Sequence, residues 1–591
     1  MGSITPDTTL RDTLPTLEHL NVTLPDDLDA QEIAQAWVTR FSDAVKTKDV
    51  TAILKEVHPE GWWRDLVALT WDTRTFQGAD RMRQFLNDRL TETKFSVGAT
   101  ILSVLLAKPY PGVVWIVAQF SFETVTGTGL GTTFLIPTHS GEWVSYIICT
   151  DLDSLKGARL HFGAGRDATM GRAHAWLDDR AREQAFEDHN PEVLIVGGGQ
   201  AGLDIAARLK DLGVSALIVE KNARVGDQWR KRYDSLRLHD FVWLDSQPYL
   251  KFPDSFPIHI PAKKLADWYE SYATVMDLNV WTSSTVSHAK RDDGSGKWTV
   301  TVSKQDGSQR VLVVDHLVFA TGWVGEPNIP VISGRDEFRG EVMHSEKYSN
   351  ARSYVGKKII IVGGCTSAHD IAVDFADLGI DVTMFQRSST LMEKITDLQK
   401  SLAPLYREDG PPLELADKIN SAMPFMVQRL TGGVEMNKFW EEDAERREKL
   451  HKVGYRMNKG VDGTGAMWQI VSRGGGQYLD QGACDLILEG KIKVKSDTQI
   501  ERFTSTGLRF LDGTELTADV IILATGYGDL RVPIKKIIGE ESGKKLTKIW
   551  GVNEEGELNS IAKEAGIPGL WYLSGSLSFA RIYSKHIALR T

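Results

Sequence analysis

The stretch VLIVGGGQAGLDIAARLKDLGVSALIVEK occupies residues 193–221. An apolar strand pattern runs into a glycine-rich turn, a helical pattern and a second apolar strand, which together predict a βαβ unit. The turn carries the pattern G-x-G-x-x-G at Gly197, Gly199 and Gly202, and Glu220 ends the second strand. Glycines at this spacing permit a tight turn and close approach of a pyrophosphate, and the acidic residue can accept hydrogen bonds from a ribose. A dinucleotide site is therefore predicted in this stretch.

The same order of strand, turn, helix and strand returns in IIIVGGCTSAHDIAVDFADLGIDVTMFQR, residues 359–387. Its turn departs from the glycine pattern, because Cys365 stands at the second glycine position. A side chain there lies where a phosphate would approach, so weaker binding of the pyrophosphate is expected. The phosphate-loop candidates of this second unit are Gly363, Thr366 and Ser367.

Arg387 ends the second unit at the position that Glu220 takes in the first. The guanidinium is a fixed, positively charged fork that suits a 2'-phosphate, the group that distinguishes NADP from NAD. The pair therefore favours FAD in the first unit and NADPH in the second. A solvated charge at the end of a strand is the alternative for Arg387.

Two Ala-Thr-Gly motifs indicate how the two nucleotide units follow each other along the chain. One lies at residues 320–322 after an apolar strand, and the other, at 524–526, follows the second unit and adds Thr525 and Gly526 as cofactor-binding candidates. Because this echo of the first unit arrives only after the second is finished, the predicted fold class is α/β, with two Rossmann-type dinucleotide-binding domains, one inserted in the other, behind an α+β domain. The expected boundaries are 1–156 for the α+β domain, 157–190 for a linker, 191–350 for the first part of the FAD-binding domain, 351–512 for the NADPH-binding domain with a helical insertion, and 513–591 for the closing part of the FAD-binding domain.

Composition narrows the classes of function. The chain has 591 residues, which is too long for one hydrophobic core, and its net charge of −10 leaves no basic surplus, so nucleic acid is not expected as a partner. Cys149, Cys365 and Cys484 are far apart, which excludes a disulfide framework and a zinc knuckle, and no metal site is predicted. Without a leader-like start or an apolar run of membrane length, we expect a cytoplasmic protein with no membrane span.

From residue 191 onward the sequence resembles the class B flavin-dependent monooxygenases, specifically the flavin-containing monooxygenase family, with similarity to its auxin-forming YUCCA-like branch. The resemblance rests on the first glycine loop, on Gly226-Asp227-Gln228-Trp229, on the stretch RYDSLRLHD at 232–240, and on residues 338–348, which match F-x-G-x-x-x-H-x-x-x-[FY]. Baeyer-Villiger relatives close this last motif with tryptophan, so Tyr348 favours the flavin-containing branch.

The resemblance implies a mechanism and roles for five residues. NADPH would reduce FAD, O2 would add at flavin C4a, and the hydroperoxide would transfer one oxygen atom to a substrate. Gln228 and Trp229 are implied to bind the cofactor. His239 and Asp240 are implied near the flavin edge, with satisfied loop residues as the alternative. His344 is implied to tie the two nucleotide domains together, with a buried structural histidine as the alternative.

The N-terminal domain, residues 1–156, resembles the SnoaL-like or NTF2-like cone, on its helical start, the stretch GWWRDLVALTWDTRTFQG at 61–78 and the strands that follow. Such cones enclose an apolar cavity and sometimes carry an Asp/His acid–base pair. Asp65 and His58 are the candidates here. Packing, dimerisation or shaping of a substrate entrance is the alternative role for the domain.

Three functions follow from these residues. The first is an enzyme, an NADPH-dependent flavin monooxygenase, that inserts oxygen into a small organic substrate at nitrogen, sulfur or an aryl-pyruvate-type carbon. The second is Baeyer-Villiger oxygenation of a ketone. The third is a binding or scaffold protein that retains FAD beside a degenerate NADPH site. The expected partners are the small-molecule substrate and O2, and a homodimer is left open.

Overall fold

The computed structural model describes residues 14–166, 175–323 and 325–591. Residues 1–13 of the expected N-terminal domain and 167–174 of the expected linker lie outside this description, as does residue 324. None of the helices in the described ranges is long and apolar enough to cross a membrane.

The N-terminal part is an α+β unit with a single six-stranded sheet. The strand order is β2-β1-β6-β5-β4-β3, in which β1 and β6 are parallel and the other neighbours are antiparallel. Its elements are α1 (Leu17–Leu20), α2 (Ala30–Thr47), α3 (Val50–Lys55), β1 (Val57–Leu66), β2 (Thr73–Gln77), α4 (Gly78–Thr93), β3 (Ser96–Ala107), β4 (Trp115–Glu123), β5 (Gly127–Pro137) and β6 (Trp143–Leu155).

The helix α2 covers one face of this sheet. It begins where the Asp29 carboxylate accepts the amide N–H groups of Gln31 and Glu32, each at 3.0 Å, which is the usual cap for a helix start. Its buried stripe includes Trp37 and Phe41, whose rings stack with centroids 4.8 Å apart. The apolar period of the helix therefore places its packed side against the sheet.

The following segment carries the linker and the first nucleotide unit. Its elements are α5 (Ala175–Ala185), β7 (Val193–Val196), α6 (Gln200–Asp211), β8 (Ala216–Val219), α7 (Asp227–Arg230), α8 (Ala262–Val275), β9 (Val280–Trp281), β10 (Ser284–Arg291), β11 (Trp298–Lys304), β12 (Gln309–Val314) and β13 (His316–Phe319). The strands β10 to β12 form a separate antiparallel sheet.

The second unit and its helical insertion come next. Their elements are β14 (Glu341–His344), β15 (Lys358–Val362), α9 (Thr366–Asp377), β16 (Asp381–Phe385), β17 (Thr390–Lys394), α10 (Ile395–Leu402), α11 (Leu413–Ala422), α12 (Phe425–Glu442), α13 (Ala444–Lys452), β18 (Met457–Asn458), α14 (Gly465–Arg473), β19 (Gln477–Asp480), α15 (Ala483–Leu488), β20 (Ile492–Lys495), β21 (Ile500–Phe503), β22 (Gly507–Phe510), β23 (Glu515–Thr517) and β24 (Val520–Leu523). The chain ends with α16 (Arg531–Ile538), α17 (Glu540–Gly543), β25 (Lys563–Glu564), β26 (Leu570–Tyr572) and α18 (Leu577–Ala588).

Two mainly parallel sheets carry the nucleotide units. The first has the order β25-β26-β13-β7-β8-β9, and the second has the order β14-β24-β15-β16-β20. In the first sheet only β25 is antiparallel to its neighbour. The first sheet uses strands from both before and after the second in the sequence. Each sheet therefore provides its own strand–loop–helix unit, at β7 to α6 and at β15 to α9.

The observed sheets differ from the expected boundaries at two strands. The strand β24, expected in the closing part of the first unit, lies between β14 and β15 in the second sheet, and β14 itself was expected in the first part of the first unit. All four residues of β24 are buried, as a central strand of a parallel sheet requires. The return to the first sheet comes later, at β25 and β26.

The N-terminal sheet shares a core with the first nucleotide unit. Along β1 the side chains alternate, so Trp62 and Leu66 join the core that also contains β7 and β13, whereas Trp63 packs in the core under α2. One face of the N-terminal sheet is thus buried by its own helix and the other by the rest of the chain.

Candidate functional site

The first glycine loop joins β7 to α6 and has little room for side chains at two of its three glycines. A Cβ on Gly197, whose φ is +110°, would lie 2.4 Å from the carbonyl oxygen of Ala320, and a Cβ on Gly202 would lie 2.0 Å from the carbonyl oxygen of Gly197. At Gly199 the nearest atom to such a Cβ is Nε2 of Gln228, at 3.5 Å. Gly199 therefore faces open space rather than backbone.

Glu220 is buried beside this loop, at the end of β8. Its Oε2 accepts the amide N–H of Gly198 at 2.7 Å, and its Oε1 accepts the amide and side-chain N–H groups of Asn222 at 2.8 and 2.7 Å. The carboxylate is thus held in one orientation against the turn, the place where the sequence pattern predicts contact with a ribose.

The second loop repeats this packing with its own Ala-Thr-Gly motif. A Cβ on Gly363 would lie 2.4 Å from the carbonyl oxygen of Ala524, as one on Gly197 would from Ala320. In both sheets the strand that ends in the motif lies next to the strand that ends in the glycine loop. The recurrence of the motif in the sequence therefore has a structural cause, the close approach of loop and neighbouring strand.

The predicted residues around the second loop differ in their burial and in their hydrogen bonds. Cys365 precedes α9 and is half-buried, and burial raises the pKa of its thiol. Thr366 donates its hydroxyl to the carbonyl oxygen of Gln477 at 3.0 Å, and Ser367 follows in the first turn of α9. The side chain of Arg387 is exposed and forms no hydrogen bond or ion pair with any described residue. Its guanidinium is therefore available to an anion.

A cavity of about 550 Å³ lies between the two units and the helical insertion. Among the predicted site residues, those that line it are Gln228, Trp229, His239, Asp240 and Thr366. Other parts of the wall come from the insertion and from α18, and they are largely apolar, with Leu398, Leu402, Phe425, Met467, Ile470, Leu479, Phe579 and Ile582.

Several polar atoms of the cavity wall are buried without a partner among the described residues. They are Oε1 and Nε2 of Gln228, Nε1 of Trp229, both carboxylate oxygens of Asp245, and Oε1 of Gln477. Buried polar atoms in folded proteins are ordinarily hydrogen-bonded, so a cluster of unsatisfied ones indicates a place where a ligand completes the bonding.

Burial changes the pKa of two carboxyl groups at the cavity, those of Asp240 and Asp245. Burial raises the pKa of Asp245, and the neighbouring Asp240 carboxylate raises it further. Burial also raises the pKa of Asp240, against the lowering effect of His239 and His259. His239 Nε2 lies 3.6 Å from a carboxylate oxygen of Asp370, which belongs to α9 of the second unit. The carboxyl groups of Asp240 and Asp245 therefore border the cavity, and His239 connects this side of it to α9 of the second nucleotide unit.

His344, Thr525 and Gly526 lie outside this cavity, at the ends of β14 and β24 in the second sheet. His344 Nε2 lies 3.1 Å from the carbonyl oxygen of Gly526, and His344 Nδ1 accepts the amide N–H of Glu346 at 3.2 Å. Thr525 donates its hydroxyl to the carbonyl oxygen of Asn328 at 2.5 Å. Both ring nitrogens of the histidine bond backbone groups that follow strands of the second sheet, and burial lowers the pKa of the ring. The role of His344 in tying the two nucleotide units together stays a prediction.

In the N-terminal unit the two acid–base candidates are not brought together. The Asp65 carboxylate is fully buried and accepts the hydroxyls of Thr70 and Thr150 at 2.6 and 2.7 Å and the amides of Leu69 and Thr70. His58 Nδ1 accepts the amide N–H of Glu60 at 3.2 Å. The oxygens of Asp65 are hydrogen-bonded to the loop that follows β1 and to Thr150 on β6, and neither of them accepts a hydrogen bond from His58.

A family described as pyridine nucleotide-disulphide oxidoreductase matches residues 194–431. The chain is similar to the probable indole-3-pyruvate monooxygenase YUCCA8 of Arabidopsis thaliana, at 32% identity over 340 residues, which cover 56% of this chain and 74% of the relative. It is also similar to the indole-3-pyruvate monooxygenase YUCCA1 of Oryza sativa subsp. japonica, at 30% identity over 354 residues, with 59% and 80% covered. The chain belongs to the class B flavin monooxygenase family.

Two solved structures are similar to this flavin monooxygenase. The open crystal structure of cyclohexanone monooxygenase is 17% identical, with a TM-score of 0.49, and the match covers 68% of this chain and 88% of that one. A flavin-containing monooxygenase from Stenotrophomonas maltophilia is 18% identical, with a TM-score of 0.45, and 67% and 97% are covered.

Asp245 and the insertion residues line the cavity of the monooxygenase, and the sequence analysis did not identify them. Asp245 closes the apolar run FVWLD at 241–245, and a carboxylate at the end of such a run is a signal that could have been used. Phe425 begins α12 more than a hundred residues away from it in the sequence. No local pattern indicates that this ring lines the same cavity.

Proposed function

We propose that this monooxygenase binds FAD at the first glycine loop and NADPH at the second, and inserts one oxygen atom of O2 into a small organic substrate held in the cavity. The observation that carries the proposal is the position of the cavity. Gln228 and Trp229 of the first unit, Thr366 of the second and residues of the insertion all line it. Both cofactor loops thus converge on one partly apolar chamber.

The residues present fit FAD. The open side of Gly199 leaves room for a pyrophosphate, and Glu220 is oriented for a ribose. The unsatisfied amide of Gln228 and the indole N–H of Trp229 offer a donor–acceptor set for a polar ring system. When bound, the flavin supplies the oxygen chemistry, and the protein supplies binding, orientation and exclusion of water.

NADPH as reductant is supported by Arg387, whose side chain extends from the end of the second unit with no competing partner among the described residues. Charge-assisted, bidentate bonds from a guanidinium suit a 2'-phosphate. Cys365 acts on the pyrophosphate, which NADPH and NADH share, so it does not alter the preference between them.

Within the cavity, the chain's own groups would hold a proton and keep water out. Asp245 carries its proton to higher pH than an exposed aspartate, because burial disfavours its charged form. A protonated carboxyl is a hydrogen-bond donor in an otherwise apolar chamber. The aliphatic and aromatic walls exclude water, which protects reactive intermediates of the oxygen transfer from unproductive decay.

For the substrate, we propose an aryl-pyruvate-type acid. The relatives reported above are named for indole-3-pyruvate, and the cavity combines aromatic and aliphatic walls with one cationic side chain, Arg232. A guanidinium is suited to a substrate carboxylate, and the apolar walls are suited to an aryl ring.

The N-terminal unit is proposed to be an NTF2-like domain that has no acid–base catalysis of its own. Its strand order and the helix α2 packed on the sheet support the assignment. The hydrogen bonds that consume both oxygens of Asp65 support the absence of a separate reaction.

The test is oxygen incorporation by the purified protein. With NADPH, indole-3-pyruvate and isotopically labelled O2, we expect NADPH oxidation that accelerates with substrate and a product that carries labelled oxygen. A ketone and a thioether serve as comparison substrates. A flavin-bearing protein that oxidises NADPH equally with and without every substrate, and yields no labelled product, would sink the proposal.

A further inference from the structure

Arg64 connects the N-terminal unit to the cavity wall. It lies on β1, is fully buried, and forms a two-pronged ion pair with Glu557, with Nε–Oε1 at 2.7 Å and Nη2–Oε2 at 2.9 Å. The same guanidinium donates to the carbonyl oxygens of Ser421 at 2.5 Å and Met423 at 3.3 Å, and to the Tyr583 hydroxyl at 3.2 Å. One side chain of the N-terminal unit therefore bonds both the insertion and α18.

Three of the residues that Arg64 touches line the cavity. They are Ser421, Tyr583 and Phe425, whose ring centroid lies 4.6 Å from the guanidinium carbon. The alternation of β1 explains the contact, because Arg64 shares its face with Trp62 and not with Trp63. The strand thus delivers a cation directly behind the wall of the chamber.

A second buried contact holds the helix α11, which ends at this wall. Lys418 lies 2.7 Å from Asp151 and 2.5 Å from Asp153, both on β6 of the N-terminal unit. The adjacent Asp417 pairs with Arg581 of α18 at 2.7 Å. The helix is therefore clamped between the N-terminal sheet and the closing helix.

The Arg64–Glu557 pair remains ionised in this setting. Burial opposes both charges, but each partner favours the charged form of the other, so the pKa of Arg64 is raised and that of Glu557 is lowered. A buried ion pair is weak evidence for stability as such, and its rigid geometry is better suited to fixing the position of what it bonds.

We infer that the N-terminal unit supports one wall of the oxygenation cavity from behind, and that Arg64 is a positioning residue that holds the turn at 421–425 and Tyr583 where they border the substrate. The inference rests on the proposed function in that the cavity must receive the substrate. It assigns the unit a role in substrate selection within the same active site.

The test removes both charges of the pair so that neither is left buried alone. The variant is Arg64→Met with Glu557→Gln. The matched control is Arg74→Met with Glu555→Gln, because Arg74 and Glu555 pair across the same interface at 2.5 and 2.6 Å, but neither side chain forms a hydrogen bond with a described residue that lines the cavity. The readouts are KM and kcat for indole-3-pyruvate and phenylpyruvate, product formed per NADPH, and anaerobic reduction of the flavin by NADPH.

We expect the cavity variant to raise KM by roughly tenfold or more and to lower product per NADPH, with flavin reduction unchanged. The control should stay within roughly twofold of the wild type. Equal effects in both variants, or wild-type KM and coupling in the cavity variant, would overturn the inference. If the double variant does not fold, Arg64→Lys decides, since lysine keeps the charge opposite Glu557 but lacks the fork that reaches Ser421 and Met423.

Hydrogen exchange separates this inference from the proposed function. In the cavity variant the amides of 413–425 should exchange faster than in the control, whatever the substrate. If the wild type oxygenates neither indole-3-pyruvate nor phenylpyruvate, the proposed substrate is wrong, and hydrogen exchange alone tests the positioning role of Arg64. Unchanged exchange in 413–425 would contradict it.

Discussion

Gly199 differs from the other two glycines of its loop in what a side chain would meet. A Cβ at Gly199 approaches only the Gln228 amide, whereas one at Gly202 would collide with the carbonyl oxygen of Gly197. A requirement for glycine at 202 therefore comes from the fold. At 199 we propose that it comes from the cofactor, because the open side leaves room for a pyrophosphate.

Gly199→Val is accordingly expected to fold but to lose FAD. The valine would occupy the space of the phosphate, and we expect affinity for FAD to fall by at least roughly tenfold, about 1.4 kcal/mol. Flavin absorbance after purification and the melting temperature of the apoprotein check this. Gly202→Val, by contrast, should lower the melting temperature itself. Full flavin retention in Gly199→Val would show that the loop does not bind FAD.

Arg387 carries the predicted choice of reductant. A hydrogen bond to a charged group contributes roughly 1.5 to 3 kcal/mol. Because the Arg387 side chain is exposed to solvent, we expect a net gain of about one such bond, which corresponds to a preference for NADPH over NADH of roughly tenfold to a hundredfold in kcat/KM. Arg387→Ala should erase most of this ratio and leave the NADH rate nearly unchanged. Cys365→Gly is the control, because it should shift KM for both nucleotides together. If Arg387→Ala keeps the wild-type ratio, another residue binds the 2'-phosphate.

At the scale of elements, the first turn of α9 contains a histidine that resists protonation. Burial lowers the pKa of His369 to about 4, and its ring stacks on Tyr478 with centroids 3.8 Å apart. Its Nδ1 lies 3.1 Å from the carbonyl oxygen of Cys365. The helix that follows the second cofactor loop is thus packed around a neutral imidazole.

Acid should destabilise this helix and its loop. The unfolded chain takes up a proton near the usual pKa of 6.5, while the folded state resists it until about 4. The stabilisation is therefore complete above 6.5 and is lost as the pH falls towards 4, by about 2 kcal/mol at about pH 5. The drop in melting temperature between about pH 7.5 and about pH 5 should be smaller in His369→Phe than in the wild type. His288→Phe, at an exposed position, should behave as the wild type does.

At the scale of the whole molecule, the N-terminal unit is bound to the rest by both apolar and ionic contacts. Trp62 and Leu66 share a core with the first nucleotide sheet, and Arg64, Asp151 and Lys418 form buried ion pairs across the boundary. Salt screens buried pairs much less than exposed ones. The boundary is therefore expected to resist both cleavage of the linker and high ionic strength.

A protease site introduced in the linker at 157–190 tests this. After cleavage we expect the two pieces to elute together in size-exclusion chromatography, at low salt and at about 1 M NaCl. The uncleaved protein is the control for elution volume. A folded N-terminal fragment that elutes alone would show that the shared core and ion pairs do not hold the unit in place.

Local patterns of sequence were sufficient to predict the two strand–loop–helix units and the glycine loops with Glu220 and Arg387 at their strand ends. They were also sufficient to indicate the family. Each of these depends on residues close together in the chain, where the period of apolar residues and the spacing of glycines report directly on backbone geometry. The recurrence of Ala-Thr-Gly was visible in the same way, although its cause, the packing against Gly197 and Gly363, was not.

Features that depend on which distant segments pack together could not be predicted from the sequence, and only the tertiary structure shows them. The four apolar residues of β24 suit either sheet, and only pairing with β14 and β15 places them in the second. The resemblance implied that His344 ties the two nucleotide units together, and only the fold shows that its ring nitrogens bond the backbone of Gly526 and Glu346, outside the cavity. Arg64 lies in a tryptophan-rich motif that indicated a separate cone, and the role that we infer for it depends on its pairing with Glu557, 493 residues later. Pairings over such distances leave no periodic signal in the chain, because they are selected by the packing of the whole fold.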